Sequence, residues 1–150
     1  MDSMDFNELF NLLQNCDETD RIEAKAALYG LGRSFLETVC ALSNEPDLGG
    51  GYILLGIIKN EEPSEFKYKI IGIAEPDKLQ NEIASQCRQC FNIPIRPTLK
   101  VISHSQGNIL LAYIQEANAH EKPVYIKSKG MDEGAYRRIG STDQICTRED

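Results

Sequence analysis

The chain has 150 residues, a formal net charge of -7, five cysteines and no tryptophan. This length allows one domain with a real core. The acidic balance argues against strong nonspecific nucleic-acid binding, although residues 1–85 carry a net -9 and residues 86–150 a net +2. No apolar stretch reaches membrane-span length and the N-terminus lacks signal-peptide regions, so we expect no membrane association, a cytoplasmic location and reduced thiols.

The first elements predicted along the chain are a helix, a strand and a second helix. Residues 5–15 place their large apolar side chains on one face, which indicates an amphipathic helix that Asp5 or Ser3 could cap. The alternation of apolar and charged residues over 21–26 predicts a strand. Apolar residues recur at helical spacing over 34–44, which predicts the second helix.

A glycine-rich turn and an apolar run then follow, over Gly49–Ile57. The run is too short to span a membrane, and its β-branched and apolar content is typical of a buried central strand. Glycine is used where the backbone needs a positive φ or a close approach to another group. The turn at Gly49–Gly51 is therefore a candidate site, while the strand is interpreted as core.

The rest of the chain predicts further strands, mostly paired in hairpins, and one more helix. In chain order these are a strand over 66–73 that forms a hairpin with the central strand, a helix over 75–91, a hairpin of 98–103 with 108–115, a strand over 123–126, a turn over 127–130 and a closing strand over 135–140. This pattern predicts one α+β domain over residues 1–150, with a mixed, mostly antiparallel sheet built from hairpins and two to three packed helices.

Six short segments occur in an order that is typical of one family. They are Ile22–Lys25, Val39–Asn44, Gly50–Ile57, Ile71–Gly72, Lys122–Tyr125 and Tyr136–Thr142. Together they resemble the AlbA_2 domain, also called the Schlafen AlbA_2 or divergent AAA-4 domain. The resemblance covers residues 20–142, which leaves the N-terminal helix outside the family core.

The resemblance implies a mixed α/β domain found at the N-terminus of longer bacterial proteins. We therefore expect a nucleic-acid-binding domain, acting on DNA, of a bacterial transcriptional regulator. A homodimer and a further domain C-terminal to this chain are both compatible with it. The divergent AAA-4 label suggests nucleotide binding, but the sequence has no G-x-x-x-x-G-K-[ST] loop, so we expect neither ATP hydrolysis nor a bound cofactor.

Basic residues in the C-terminal half are the main candidates for binding nucleic acid. They could be solvated faces, or they could gather on neighbouring strands and contact phosphates, with Tyr125 and Tyr136 near enough to stack on bases. With the lysine and glycines that the resemblance adds, the candidate residues are Lys25, Gly50, Gly51, Lys127, Lys129, Arg137 and Arg138. We expect Arg138 either to contact the ligand or to pin its strand to Glu23.

An alternative activity comes from the same resemblance. Schlafen relatives that cut RNA use two glutamates five residues apart, with a third acid, to hold a divalent metal, and Glu18 and Glu23 keep that spacing. Mg²⁺ or Mn²⁺ would there activate water. The third acidic position carries Ile58-Lys59 instead, so no catalytic residue is assigned and a solvated acidic strand end is the favoured interpretation.

Two further interpretations stay open at this stage. Cys87 and Cys90 have the spacing of half a zinc site, but no second Cys/His pair matches them, so buried thiols are expected and no metal is assigned. The acidic N-terminal half would also suit a protein-interaction or oligomerisation domain, which is the third functional hypothesis.

Overall fold

The computed structural model describes residues 5–62 and 64–147. The helices are α1 (Phe6–Cys16), α2 (Phe35–Asn44), α3 (Pro76–Gln89) and α4 (Gly130–Gly134). The strands are β1 (Ile22–Lys25), β2 (Gly51–Leu55), β3 (Ile57–Lys59), β4 (Tyr68–Ile70), β5 (Thr98–His104), β6 (Gly107–Ile114), β7 (Tyr136–Ile139) and β8 (Thr142–Ile145). Two short 3-10 helices cover Ala119–Glu121 and Lys127–Lys129.

The largest sheet has four strands in the order β1-β2-β6-β5. β1 and β2 are parallel, whereas β2 with β6 and β5 with β6 are antiparallel. Strands β3 and β4 form one separate two-stranded sheet, and β7 and β8 form another. The expected α+β class, with a mixed and mostly antiparallel sheet, is confirmed.

Strand β2 is buried on both faces, because apolar residues from helices cover each side. Ile53 and Leu55 belong to the core cluster that contains Phe35 of α2 and Ile83 of α3. Tyr52 and Leu54, which point the other way, belong to the cluster that contains Phe6, Leu9 and Leu13 of α1. This two-sided burial explains the uninterrupted apolar run and confirms the prediction of a central buried strand.

The three long helices match the predicted ranges to within two residues at each end. At the start of α1 the Glu8 N–H donates to Asp5 Oδ1 at 2.8 Å, so Asp5 is the N-terminal cap. Ser3, the alternative cap, lies outside the described residues. No helix in the described part of the chain is both long and apolar enough to cross a membrane.

The predicted hairpin between the central strand and residues 66–73 is wrong. The neighbours of β2 are β1 and β6, and the chain changes direction at Gly56, whose N–H donates to the Lys25 carbonyl. Its carbonyl accepts from the N–H groups of Ile71 and Gly72. Only the residues after this turn, in β3, pair with β4.

The C-terminal segment also differs from the prediction. Residues 123–126 form no strand beyond a single bridge between Ile126 and Phe91. The backbone of Val124 is instead paired with the buried Asn44 side chain, whose Oδ1 accepts from its N–H at 2.7 Å and whose Nδ2 donates to its carbonyl at 2.8 Å. Residues 127–130, predicted as a turn, form a 3-10 helix leading into α4, and the polar strand β8 was not predicted.

Candidate nucleic-acid interface

Arg138, on β7, is buried and bonded to carboxylates rather than presented to a ligand. Its Nη1 lies 2.8 Å from Glu23 Oε1 and 3.0 Å from Asp143 Oδ1, and its Nη2 donates to the Thr19 carbonyl at 2.9 Å. The residue is only 2% exposed. Burial by itself lowers the pKa of Arg138, but Glu23 and Asp143 outweigh that effect and raise it above its ordinary value.

The carboxylate of Glu23, on β1, is contacted by two cationic side chains and one hydroxyl. Its Oε2 lies 2.8 Å from Lys25 Nζ and 2.8 Å from Thr38 Oγ1, while Oε1 accepts from Arg138. Burial by itself raises the pKa of Glu23, but the hydrogen bonds from Lys25 and Arg138 outweigh it and hold that pKa below its usual value. The carboxylate is therefore kept ionised inside the protein.

Thr38 and Asp143 complete this group, which we call the Glu23 cluster: Glu23, Lys25, Thr38, Arg138 and Asp143. Thr38 Oγ1 lies 2.7 Å from Asp143 Oδ2 and 2.8 Å from Glu23 Oε2, and it can donate its single proton to only one of these carboxylates at a time. The cluster ties together β1, α2, β7 and β8. Sequence reasoning missed Thr38 and Asp143, since the first lies within an apolar helix and the second in a strand that was not predicted.

The metal-binding alternative does not fit these residues. Glu23 has both oxygens bonded to donors, and two of those donors are cations that repel a metal ion. Glu18 is half-buried, and its Oε2 accepts from the Ala24 N–H at 3.0 Å. Burial raises the pKa of Glu18, and the nearby charge of Glu23 adds to the increase. No three His, Cys, Asp or Glu side chains within residues 5–62 and 64–147 form a metal-binding group.

Lys59, at the position of the missing third acid, forms an ion pair with Asp17, with 2.7 Å between Nζ and Oδ2. The Tyr68 hydroxyl donates to the other oxygen of Asp17. Hydrogen bonds from Lys59 and then Tyr68 hold the pKa of Asp17 well below its usual range. Position 59 therefore supplies a cation that is already paired within the protein.

The Gly49–Gly51 turn is shaped by packing against the protein itself. A Cβ on Gly50 would lie 1.9 Å from the Ile114 carbonyl oxygen, and one on Gly51 would lie 2.7 Å from the Arg21 carbonyl oxygen. The Gly49 N–H, a candidate phosphate donor, already donates to Glu116 Oε1 at 2.9 Å. Close backbone contact accounts for Gly50 and Gly51 without a ligand, and a binding role for this turn stays a prediction.

Arg137 and the tyrosines are also engaged within the protein. Arg137 Nε and Nη2 donate to the two carboxylate oxygens of Glu45 at 3.2 and 3.1 Å, a bidentate pair. Tyr136 is buried, so its ring is not available to stack on a base. Tyr125 is half-buried, and its N–H donates to Asn92 Oδ1.

Three of the cations in this region, Arg33, Lys127 and Lys129, are exposed. Lys25 Nζ donates to Ser34 Oγ at 2.7 Å, immediately before α2, and the exposed Arg33 precedes Ser34. Lys127 and Lys129 are exposed on a 3-10 helix rather than on a strand. A hydrogen bond with the Tyr136 hydroxyl raises the pKa of Lys129, so it stays protonated.

The charges of Glu37, in the first turn of α2, and of Glu133, in α4, add to the increase in the pKa of Lys129. Among the described residues, neither Arg33, Lys127 nor Lys129 forms an ion pair with a carboxylate. Of the sequence-predicted binding side chains, the structure leaves Lys127 and Lys129 exposed, and Lys25 is partly buried.

The cysteines match the expectation of reduced thiols. Cys87 is buried in α3 and Cys90 is partly buried at its end, and both are free. Burial raises the pKa of the Cys87 thiol to about 12. Such a thiol is protonated at neutral pH and is a poor metal ligand.

Comparison with known proteins identifies the family. The family model described as "Schlafen, AlbA_2" matches residues 18–147. The chain belongs to the Schlafen AlbA_2 family. The match begins at Glu18 and includes every member of the Glu23 cluster, so that cluster lies within the AlbA_2 domain.

Two solved structures are similar to this AlbA_2 domain. The solution NMR structure of the N-terminal domain of an ATP-dependent DNA helicase RecG-related protein from Nitrosomonas europaea has a TM-score of 0.75 and 41% identity, covering 97% of this chain and 95% of that one. The crystal structure of the DIP2311 protein from Corynebacterium diphtheriae has a TM-score of 0.55 and 18% identity, which shows a similar fold. The match covers 86% of this AlbA_2 domain and 25% of that chain. None of the curated proteins matches the sequence.

Proposed function

We propose that this AlbA_2 domain binds nucleic acid, and that it acts on DNA as part of a bacterial transcriptional regulator in the cytoplasm. The similar domain from Nitrosomonas europaea belongs to a protein named for its relation to a DNA helicase. A transcriptional regulator and a DNA helicase both have to contact DNA, and membership of the AlbA_2 family is consistent with DNA binding.

The observation that carries the proposal is a set of accessible cations that form no ion pair among the described residues. Arg33, just before α2, and Lys127 and Lys129, on the 3-10 helix, are exposed, and Lys25 donates to Ser34 at the start of α2. The partial positive charge at the start of α2 adds to that of Arg33, while the carboxylate of Glu37 in the first turn opposes it. Arg137 and Arg138, by contrast, stabilise the fold by pairing with Glu45 and Glu23.

The net charge of -7 makes this binding weak and dependent on salt. If only a few phosphates are neutralised, affinity falls roughly tenfold or more between 50 and 200 mM salt. Fluorescence anisotropy with labelled duplex and single-stranded DNA measures both properties. We expect binding at 50 mM salt that is largely lost at 200 mM.

Two double variants are compared. Each replaces two lysines with glutamates, so the two variant proteins have the same net charge. Lys127→Glu with Lys129→Glu removes the two exposed cations of the 3-10 helix, whereas Lys67→Glu with Lys69→Glu changes two exposed lysines on or beside β4. We expect the first pair to reduce affinity at least tenfold and the second to have a smaller effect. Circular dichroism confirms that each variant is folded.

Absence of wild-type binding at 50 mM salt would contradict the proposal. Equal losses in the two double variants would show that Lys127 and Lys129 are not the binding residues. If the wild type does not bind, the protein-interaction or oligomerisation hypothesis would replace the proposal, and analytical ultracentrifugation would then test for a homodimer.

A further inference from the structure

A cavity of about 960 Å³ lies at the C-terminal end of α2. Four segments line it: the end of α2 with the loop that follows, residues 119–123, residues 131–137 up to the start of β7, and residues 146–147 after β8. Its volume is at the upper end of the range for small-molecule sites in proteins, about 300–1000 Å³. Lys127 and Lys129 do not line it, so the cavity is separate from the lysines proposed to bind nucleic acid.

Hydrogen bonds hold the walls of the cavity in place. The buried Asn44 side chain, which is part of the lining, donates from Nδ2 to the carbonyls of Val124 and Tyr136, each at 2.8 Å. The Cys146 N–H donates to the Ala135 carbonyl at 2.8 Å, which joins the two ends of the β7–β8 hairpin. The cavity therefore exists before any ligand binds, and a ligand that enters it does not have to order these segments.

Apolar side chains form much of the lining. They come from three of the four segments and are Pro46, Ala119, Pro123, Met131 and Ala135. Met131 is 54% exposed, and its flexible, unbranched side chain can adapt to the shape of a ligand. Apolar surface that faces water is stabilised when an apolar group covers it. The cavity therefore favours a ligand with an apolar body.

Two cations also line the cavity, and their carboxylate partners do not. Arg137 forms the bidentate pair with Glu45. Lys122 Nζ lies 2.7 Å from Glu116 Oε2. Asp132 is the only carboxylate among the described residues that line the cavity. Two cations and one carboxylate give this part of the lining a positive balance, which favours a ligand with a negative charge.

We propose that this cavity binds a small organic anion with an apolar body and a single negative charge. The body of the ligand lies among the apolar side chains, and its charged group lies against Arg137 or Lys122. Because each cation is already paired with a carboxylate, the apolar contacts supply most of the affinity and the cations select an anion over a neutral molecule of the same shape. This site is additional to nucleic-acid binding and does not depend on it.

Two fluorescent dyes with the same ring system test the class of ligand. Anilinonaphthalene sulfonate carries one negative charge, and phenylnaphthylamine is its neutral counterpart. Both dyes emit more strongly in an apolar site than in water. We expect the sulfonate to bind the folded wild type at a single site and more tightly than the neutral dye. Absence of sulfonate binding, or equal affinity for the two dyes, would overturn the proposal.

A matched pair of variants tests the location of the site. Ala119 and Ala84 are both exposed, but Ala119 lines the cavity and Ala84 lies on α3 away from it. We expect Ala119→Phe to weaken sulfonate binding about tenfold, the effect of losing the burial of one large apolar group. Ala84→Phe should bind like the wild type. Equal affinities of the two variants would overturn the proposed location.

A double variant separates the effect of charge from that of space. Arg137→Met with Glu45→Gln removes a cation of the lining together with its partner, so the net charge of the protein is unchanged. The glutamine oxygen can still accept from the Arg138 N–H. We expect affinity for the sulfonate to fall about tenfold, as for the loss of one charge-assisted hydrogen bond, with affinity for the neutral dye unchanged. Equal losses for the two dyes would contradict selection by charge.

Cys146 reports directly on whether the cavity is occupied, because it is a free thiol in the lining. Its rate of alkylation by iodoacetamide, followed by mass spectrometry of the peptide that contains it, should fall severalfold when the sulfonate is bound. Cys16, an exposed thiol at the end of α1, is the control within the same molecule and should react at an unchanged rate. An unchanged rate at Cys146 would place the dye elsewhere and overturn the proposal.

The outcomes are independent of those for the proposed function. Failure of DNA binding leaves the cavity proposal standing if the dye results hold, and failure of the dye results leaves DNA binding standing. A homodimer that Ala119→Phe dissociates would assign the cavity to an interface between two copies of the chain and would overturn the proposal of a small anion.

Discussion

Arg138 and Glu23 are 115 residues apart in sequence, yet Arg138 Nη1 lies 2.8 Å from Glu23 Oε1 in the protein interior. This pair joins β7 to β1, two strands that belong to different sheets. The pair therefore holds the β7–β8 hairpin against the main body of the domain.

Removing the charge of Arg138 should destabilise the protein strongly. In Arg138→Met the aliphatic volume is kept, but Glu23 and Asp143 lose their shared cation while still buried. We expect the free energy of unfolding to fall by about 3–5 kcal/mol, as for other broken buried ion pairs. Urea unfolding followed by circular dichroism measures the change.

Lys127→Met, at an exposed position, is the control for Arg138→Met. It should change the free energy of unfolding by no more than about 0.5 kcal/mol. Similar small effects in both variants would show that the buried cluster does not stabilise the hairpin.

Glu23 and Glu18 should affect the pH dependence of stability in opposite ways. The folded-state pKa of Glu23 is lowered, so its ionised form stabilises the protein above about pH 4.3, and that stability is lost as the pH falls through the folded pKa. The folded-state pKa of Glu18 is raised, so its contribution is complete below about pH 4.3 and is lost as the pH rises through the folded pKa.

The glutamine variants test these signs in unfolding measurements from pH 4 to pH 8. At pH 7 Glu23→Gln should be less stable than the wild type, with a difference that shrinks in acid. Glu18→Gln should be more stable at pH 7, because the amide oxygen can still accept from the Ala24 N–H, and this difference should also shrink in acid. The same sign in both variants would contradict the two pKa directions.

Alanine substitutions in the Gly49–Gly51 turn should destabilise the protein according to the space around each glycine, and not only according to its backbone conformation. Gly49 and Gly50 both have positive φ, 76° and 88°, which costs an alanine about 1–2 kcal/mol. A Cβ on Gly49 meets nothing within 4 Å, whereas one on Gly50 would collide with the Ile114 carbonyl. We expect Gly50→Ala to destabilise the protein much more than Gly49→Ala in thermal unfolding, and equal losses would argue against the packing explanation.

Metal-dependent RNA cleavage should be absent or very weak. The oxygens of Glu23 are bonded to Lys25, Thr38 and Arg138, and Lys59 is paired with Asp17 where the third acid would lie. Incubation of the protein with a structured RNA and Mn²⁺, analysed on a denaturing gel, tests this expectation. Robust cleavage that Glu23→Gln abolishes would establish the nuclease alternative.

Several elements could be predicted from the sequence because local patterns determine them. The apolar faces of α1 and α3 have helical spacing, Asp5 supplies a cap, and the apolar run after Gly51 fits only a strand buried on both faces. The family could also be identified from short segments spread along the chain. These features depend on residues that are close in sequence, so the sequence by itself determined them.

The partners of the charged residues were decided only by the tertiary structure. Arg137 and Arg138 look alike in the sequence, yet strand alternation directs Arg138 inward to Glu23 while Arg137 pairs with Glu45. Strand β2 pairs with β6 rather than with the next strand, because the chain turns at Gly56. Such pairings join residues far apart in the chain. They form because burial removes polar and charged groups from water, so each group needs a hydrogen-bond or charge partner within the protein.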